Sequence, residues 1–244
     1  MSFSSALIRL SSRRTLVHVS HNASRKLIAR ASSTASHDRS ALGTLLIAKL
    51  KAEDGLSAFH DYYPAFIAEL RKTKRSQTDN PLSREQLHSL LEILASSGRP
   101  LDLQRMEEVL FDMPSIFSIE PTVEDHTTII RALIKHGNVR TIHRWLMNMP
   151  TRPGHFTPTI EQFHLFLEAC IDLESFKYMR NVVLSMGQIG CKPTNETFKI
   201  LIRARWEKST QEEQVPHVVV FSTIVDDMKK EGLPYDPAID ALLY

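Results

Sequence analysis

Apolar residues recur three and four positions apart through most of the chain after residue 38, a spacing that predicts amphipathic helices. Leu42, Leu45, Leu46 and Leu50 make the first stripe, over residues 39–50. Phe59, Tyr63, Phe66, Ile67 and Leu70 make the second, over about 56–71, where Pro64 implies either a kink or a fresh helix start. A polar stretch, RKTKRSQTDNP, follows as a linker whose basic residues either touch phosphate or are simply solvated. Ser83 then stands three residues before Gln86, the spacing of a reciprocal N-terminal cap. The helix it opens carries Leu87, Leu90, Leu91 and Leu94 on one face and ends at Ser96-Ser97-Gly98. Its partner runs from Leu103 to Met113 through Met106, Val109 and Leu110, with Pro114 as the expected stop.

From residue 120 the pattern becomes periodic. Pro-Thr pairs recur in EPT (120–122), TPT (157–159) and KPT (192–194), so the threonines stand 37 and 35 residues apart. Each interval holds two apolar stripes with a break between them. His126, Ile129, Ile130, Leu133 and Ile134 precede Gly137, and Val139, Ile142, Trp145, Leu146 and Met149 follow it up to Pro150. The next interval repeats this with Phe163, Phe166, Leu167, Cys170 and Ile171, then Phe176, Met179, Val182, Val183 and Met186. A further unit starts with Phe198, Leu201, Ile202 and Ala204, is interrupted by a polar insertion over 207–216, and resumes over Val219–Met228 up to Gly232. Residues 236–244 begin like another first helix, with Ile239 and Leu242 or Leu243 apolar; either they cap the array or a partner completes it. Two helices per period of about 35 residues indicate a helical repeat array. The expected fold is all-α: a right-handed superhelical α-solenoid of stacked antiparallel helix pairs. Four to five pairs fill residues 38–244, clearest at 123–159, 160–194 and 195–235, so function is expected on a surface rather than in a pocket.

Charge divides the chain. The 30 Lys and Arg against 28 Asp and Glu give +2 overall. Arg9, Arg13, Arg14, Arg25, Lys26 and Arg30 all fall within residues 1–37, which hold no acidic residue, so the remainder has 24 basic against 28 acidic side chains, a net of −4. The Ser- and Arg-rich start lacks the continuous apolar core of a secretory signal and reads as a mitochondrial presequence processed near Arg30–Ser32, which places the protein in the matrix. The other reading of that segment is a basic tail that binds nucleic acid. No run of apolar residues is long enough to span a bilayer. Two cysteines, Cys170 and Cys191, are too few for a disulfide framework or a thiolate metal site. Phosphate loops, HExxH and CxxC are absent, and the 11 histidines are scattered, so neither enzyme activity, a metal nor a cofactor is expected.

The segment IEQFHLFLEACIDLESFKYMRNVVLSMGQIGCKPT (160–194) resembles a pentatricopeptide repeat, with Phe163, Met186, Gly190, Lys192 and Pro193 at that family's characteristic places. Residues 123–159 look like the same unit with two extra residues, and 195–235 like a longer version. The resemblance implies a binder of single-stranded RNA, often organellar, in which each unit presents two selector side chains to one base. By that resemblance the first selectors fall at Thr127, His164 and Lys199, and their partners at Thr159, Thr194 and Tyr235. His and Lys replace the small polar residue usual at the first place, and Thr or Tyr the Asn or Asp usual at the second, which argues against base-specific reading. Arg131, Lys135 and Arg203 join the selectors as candidate RNA contacts on the inner surface, interspersed with Glu124, Glu161, Glu168 and Glu196. Each of Glu124, Glu161 and Glu196 is also accounted for by its place in a first turn. The expected partners are mitochondrial single-stranded RNA, a ribonucleoprotein, or both, with a role in transcript processing, stability or translation. The mildly acidic body favours the other reading, a protein-interaction scaffold or assembly factor.

Overall fold

A computed structural model describes residues 43–44, 46–48, 55–72, 80–97, 99–179, 181–211, 218–234 and 237–239. The basic start, most of the 71–81 linker, the core of the 207–216 insertion, Tyr235, Leu42, Leu45, Leu50, Leu242 and Leu243 lie outside the described residues. Among the described residues every regular element is helical. The helices are α1 (Gly55–Lys72), α2 (Arg84–Ser97), α3 (Pro100–Ile116), α4 (Val123–Lys135) and α5 (Val139–Asn148), then α6 (Ile160–Asp172), α7 (Val182–Gln188), α8 (Asn195–Gln211) and α9 (Val218–Lys230). Short 3-10 turns occupy Met149–Thr151 and Phe176–Tyr178. The chain divides into two compact units, residues 1–90 with 112–119 and residues 91–111 with 120–244.

In the first unit the stripe on α1 is buried as its spacing predicts, with Phe59, Tyr63, Phe66, Ile67 and Leu70 all nearly inaccessible. α1 runs through Pro64, which is exposed, so no second helix starts there. Phe66 stacks on Phe117 with ring centroids 6.5 Å apart, and the Tyr63 hydroxyl donates to Asp112 Oδ2 at 3.0 Å. Ser83 and Gln86 form the predicted reciprocal cap: Ser83 N–H donates to Gln86 Oε1 at 2.8 Å and Gln86 N–H to Ser83 Oγ at 3.2 Å. Pro114 does not stop α3, which continues to Ile116. The last turn widens instead: Phe117 N–H reaches back five residues to Asp112 O, and Ile119 N–H to Met113 O, with Ser118 in the left-handed region at φ 53.

The second unit is built on three first helices, α4, α6 and α8. α4 packs on α6 and α6 on α8, while α5 packs against α4 and α6, and α9 against α8. This unit is thus an α-solenoid of stacked helix pairs. Ile129, Ile130, Leu146, Phe163, Phe166, Leu167 and Phe198 form its interior, each within a few per cent of complete burial, and each such side chain contributes about 1.5–3 kcal/mol. The second helix of the 160–194 unit is interrupted rather than continuous. A 3-10 turn at Phe176–Tyr178 is followed by α7 only from Val182, with Asn181, a poor helix-interior residue, at the junction with φ −118 and no side-chain cap bond. α8 also runs further than the sequence indicates, through Glu207 to Gln211, because helix-forming residues and the Arg203–Glu207 pair (3.9 Å) extend it. Phe198, Ile202, Met228 and Ile239 close the far end of this core.

Candidate nucleic-acid interface

A buried proline precedes a threonine at the start of each first helix: Pro121-Thr122, Pro158-Thr159 and Pro193-Thr194. Thr122 caps α4 reciprocally, its Oγ1 accepting from Asp125 N–H (3.3 Å) while Asp125 Oδ2 accepts from Thr122 N–H (2.7 Å). Thr159 and Gln162 repeat the arrangement on α6. At α8 the Thr194 N–H donates to Thr197 Oγ1 at 3.0 Å. The reciprocal caps of α4 and α6 contribute about 1 kcal/mol each and fix where those two helices begin. They therefore fix the register of everything that follows.

Counted from its threonine, the second residue of each first helix is glutamate (Glu124, Glu161, Glu196) and the fifth is Thr127, His164 or Lys199. The ninth is Arg131, Glu168 or Arg203, and the thirteenth is Lys135, Asp172 or Glu207. At 3.6 residues per turn these four places fall within about 80° of one another, so they share one face. The candidate RNA contacts are brought onto that face, except Thr159 and Thr194, which sit at the helix starts.

Two of the fifth-position side chains, Thr127 and His164, are turned toward the next first helix. Thr127 is only 7% exposed; its Oγ1 donates to Val123 O at 2.9 Å and accepts from Gln162 Nε2 at 2.8 Å. His164 Nε2 pairs with Thr197 Oγ1 at 3.0 Å, and Thr197 is fully buried. The third residue of one helix thus ties down the fifth residue of the helix before it, twice in succession. Partial burial lowers the His164 pKa, against the opposing pull of Glu196, Glu161 and Glu168. Lys199 is half-buried on α8.

The charged places are likewise engaged. Arg131 Nη1 donates to Glu124 Oε1 at 2.7 Å, and both side chains are more than half exposed. Arg203 pairs with Glu168 on the neighbouring first helix, and Lys135 Nζ donates to Ser96 O. The face carries six carboxylates (Glu124, Glu161, Glu168, Asp172, Glu196, Glu207) against four cations (Arg131, Lys135, Lys199, Arg203). Its middle unit, α6, contributes only acidic charge. Sequence reasoning missed Gln162 and Thr197, although their place three residues after a Pro-Thr pair was visible.

Outside this face little chemistry assembles. His155 Nδ1 contacts Pro150 O and is not brought to His164. Among the described residues no group of three or more His, Cys, Asp or Glu is arranged to hold a metal ion. Cys170 is buried, which pushes its thiol up to about 12, and burial also raises Cys191.

The stacking matches a solved structure, the crystal structure of the pentatricopeptide repeat protein PPR10 from maize, with a TM-score of 0.50 and 17% identity. The fold is similar to that pentatricopeptide-repeat solenoid. The match covers 82% of this chain and 26% of the maize chain, so the sequence spans about a quarter of that protein's length. At this identity the likeness concerns the fold alone. No protein-family model matches the sequence, and no curated protein matches it. Within residues 120–211 each first helix starts just after a Pro-Thr pair and carries one side chain in register at the fifth place.

Proposed function

We propose that this chain is a mitochondrial single-stranded RNA-associated protein that acts by binding, without chemistry, in organellar transcript processing, stability or translation. The observation that carries this reading is the continuous first-helix face of a pentatricopeptide-type solenoid, with Thr127, His164 and Lys199 in register along it. The contact is not base-by-base. Thr127 already gives its one hydroxyl proton to Val123 O, and His164 Nε2 is paired with Thr197 Oγ1. Phosphate contact concentrates on α8, at Lys199 and Arg203, and its weak selectivity suits a protein working inside a ribonucleoprotein. The acidic-free first 37 residues, with their six basic side chains, support import into the matrix.

Fluorescence anisotropy with single-stranded oligoribonucleotides tests the reading. Lys199→Glu combined with Arg203→Glu lowers affinity at least about tenfold, the scale expected for reversing two phosphate contacts. Wild-type protein that shows no more affinity for the oligomers than an acidic control protein sinks the proposal. For localisation, residues 1–37 fused to a fluorescent protein accumulate in mitochondria; cytosolic fluorescence removes that part. One observation favours a second reading, a protein-interaction scaffold or assembly factor. Carboxylates outnumber cations on the face, and Arg203 is neutralised by Glu168. Under that reading the same double variant disturbs a protein partner and leaves RNA untouched.

A further inference from the structure

On the side of α4 away from the first-helix face lies a cavity of about 510 Å³, walled by α3, α4 and α5. Ile129 and Leu133, seven and eleven residues after the Thr122 cap, point roughly half a turn away from Glu124, Thr127 and Arg131. With Leu103 they make its apolar floor. Its volume is that of an ordinary ligand site, and it is separate from the RNA face proposed above.

The charged part of this wall is net cationic, with Arg144 and Arg152 against Glu107. Arg144 lines the cavity, is exposed, and has no ion pair among the described residues. Arg152 spends its charge on Glu107 at 2.6 Å, and its guanidinium lies 3.6 Å over the centre of the Trp145 ring. Both Arg152 Nε and Trp145 Nε1 are sealed from solvent without an acceptor. Beside the cavity Phe111, on α3, is 47% exposed, with the Arg152 guanidinium 6.0 Å from its ring.

We propose that this cavity docks a short acidic peptide segment of a protein partner. An aliphatic or phenyl side chain of the segment enters between Leu103, Ile129 and Leu133, and a neighbouring carboxylate meets Arg144. The apolar floor next to an unneutralised guanidinium selects that pairing, since the same peptide must supply both an apolar anchor and an acid. A nucleic acid fits less well. The Trp145 face that would stack a base is already covered by Arg152, and Glu107 repels phosphate at the same wall. The proposal does not depend on RNA binding by the other face.

The test uses the purified full chain on an array of short peptides of matched length and apolar content, differing only in acidic, neutral or basic character. Peptides combining Asp or Glu with Leu or Phe are retained over the basic set. In solution the best of them loses at least about tenfold in affinity to Arg144→Glu, and keeps most of it with Arg144→Lys. Arg144 is exposed, so neither change endangers the fold. Equal retention of acidic and basic peptides overturns the proposal, as does undiminished binding by Arg144→Glu. An oligouridylate titration runs in parallel: if Arg144→Glu weakens the RNA and leaves the peptide alone, the cavity serves nucleic acid and the peptide assignment falls.

Discussion

Glu174 stands fifteen residues after its threonine cap, where Gly137 stands in the preceding unit, and both adopt positive φ (49 and 74). Each closes its first helix with the same kind of bond: Asn138 N–H reaches Leu133 O, and Ser175 N–H reaches Cys170 O. The left-handed backbone costs an L-residue about 1–2 kcal/mol, whereas glycine adopts it freely at the expense of about 0.5–1 kcal/mol of extra freedom in the unfolded chain. Glu174→Gly is therefore expected to stabilise the protein by about 0.5–1 kcal/mol in urea denaturation. Gly137→Ala destabilises it by about 1 kcal/mol, although the nearest atom to the new methyl, Leu173 Cδ2, is 3.8 Å away and leaves room. Unchanged midpoints for both variants would show that helix closure here does not rest on φ. The pair also marks a limit of reading at this scale. Glycine announces a left-handed stop, while a glutamate forced into the same conformation by its neighbours carries no such signal.

Among the elements, the amide of Gln162 has two tasks. Its oxygen accepts from Thr159 N–H at 3.0 Å to cap α6, and its nitrogen donates to Thr127 Oγ1 at 2.8 Å to hold α4. Gln162→Ala removes these bonds, and a longer one from the same nitrogen to Val123 O at 3.4 Å, at a site only 1% exposed, and is expected to cost about 2–3 kcal/mol, a lost cap plus unmade buried hydrogen bonding. Gln162→Glu keeps the capping oxygen and loses the donor, so it falls in between. A double-mutant cycle with Thr127→Val isolates the Gln162–Thr127 bond; additive effects would mean that this bond does not help to hold the two helices together. Helix positions were largely legible, because the stripes and the Pro-Thr starts fix where each first helix begins. The departures have local causes: a widened last turn that absorbs Pro114, a break at Asn181, and charge pairing that carries α8 past Glu207. The candidate face was legible only in outline. Its register follows from the caps, but the engagement of Thr127 by Gln162 and of His164 by Thr197 is a contact between units, 35 and 33 residues apart, that spacing within one unit does not reveal.

For the molecule as a whole, the decisive quantity is the potential of the first-helix face, and Glu168 is the residue that sets it. It lies in the middle unit, whose Glu161, Glu168 and Asp172 add only negative charge, and it neutralises Arg203 of the next unit. Both side chains of the pair are close to half exposed, so the pair itself adds little stability and can be exchanged without endangering the fold. Glu168→Lys removes one negative charge, adds one positive, and leaves Arg203 only its longer pair with Glu207 at 3.9 Å. If the face meets RNA, affinity for a single-stranded oligomer rises, and the dependence of log affinity on log salt steepens by about 0.7 for each phosphate newly contacted. If the face meets a protein, the same substitution weakens a basic partner and gives no salt-dependent RNA binding. The unmodified protein, with six carboxylates against four cations there, should show a shallow slope of one or two contacts at most, about 0.7 to 1.4. A steep slope in the wild type would mean that phosphates are held elsewhere on the chain, and Glu168→Lys would then leave it unaltered.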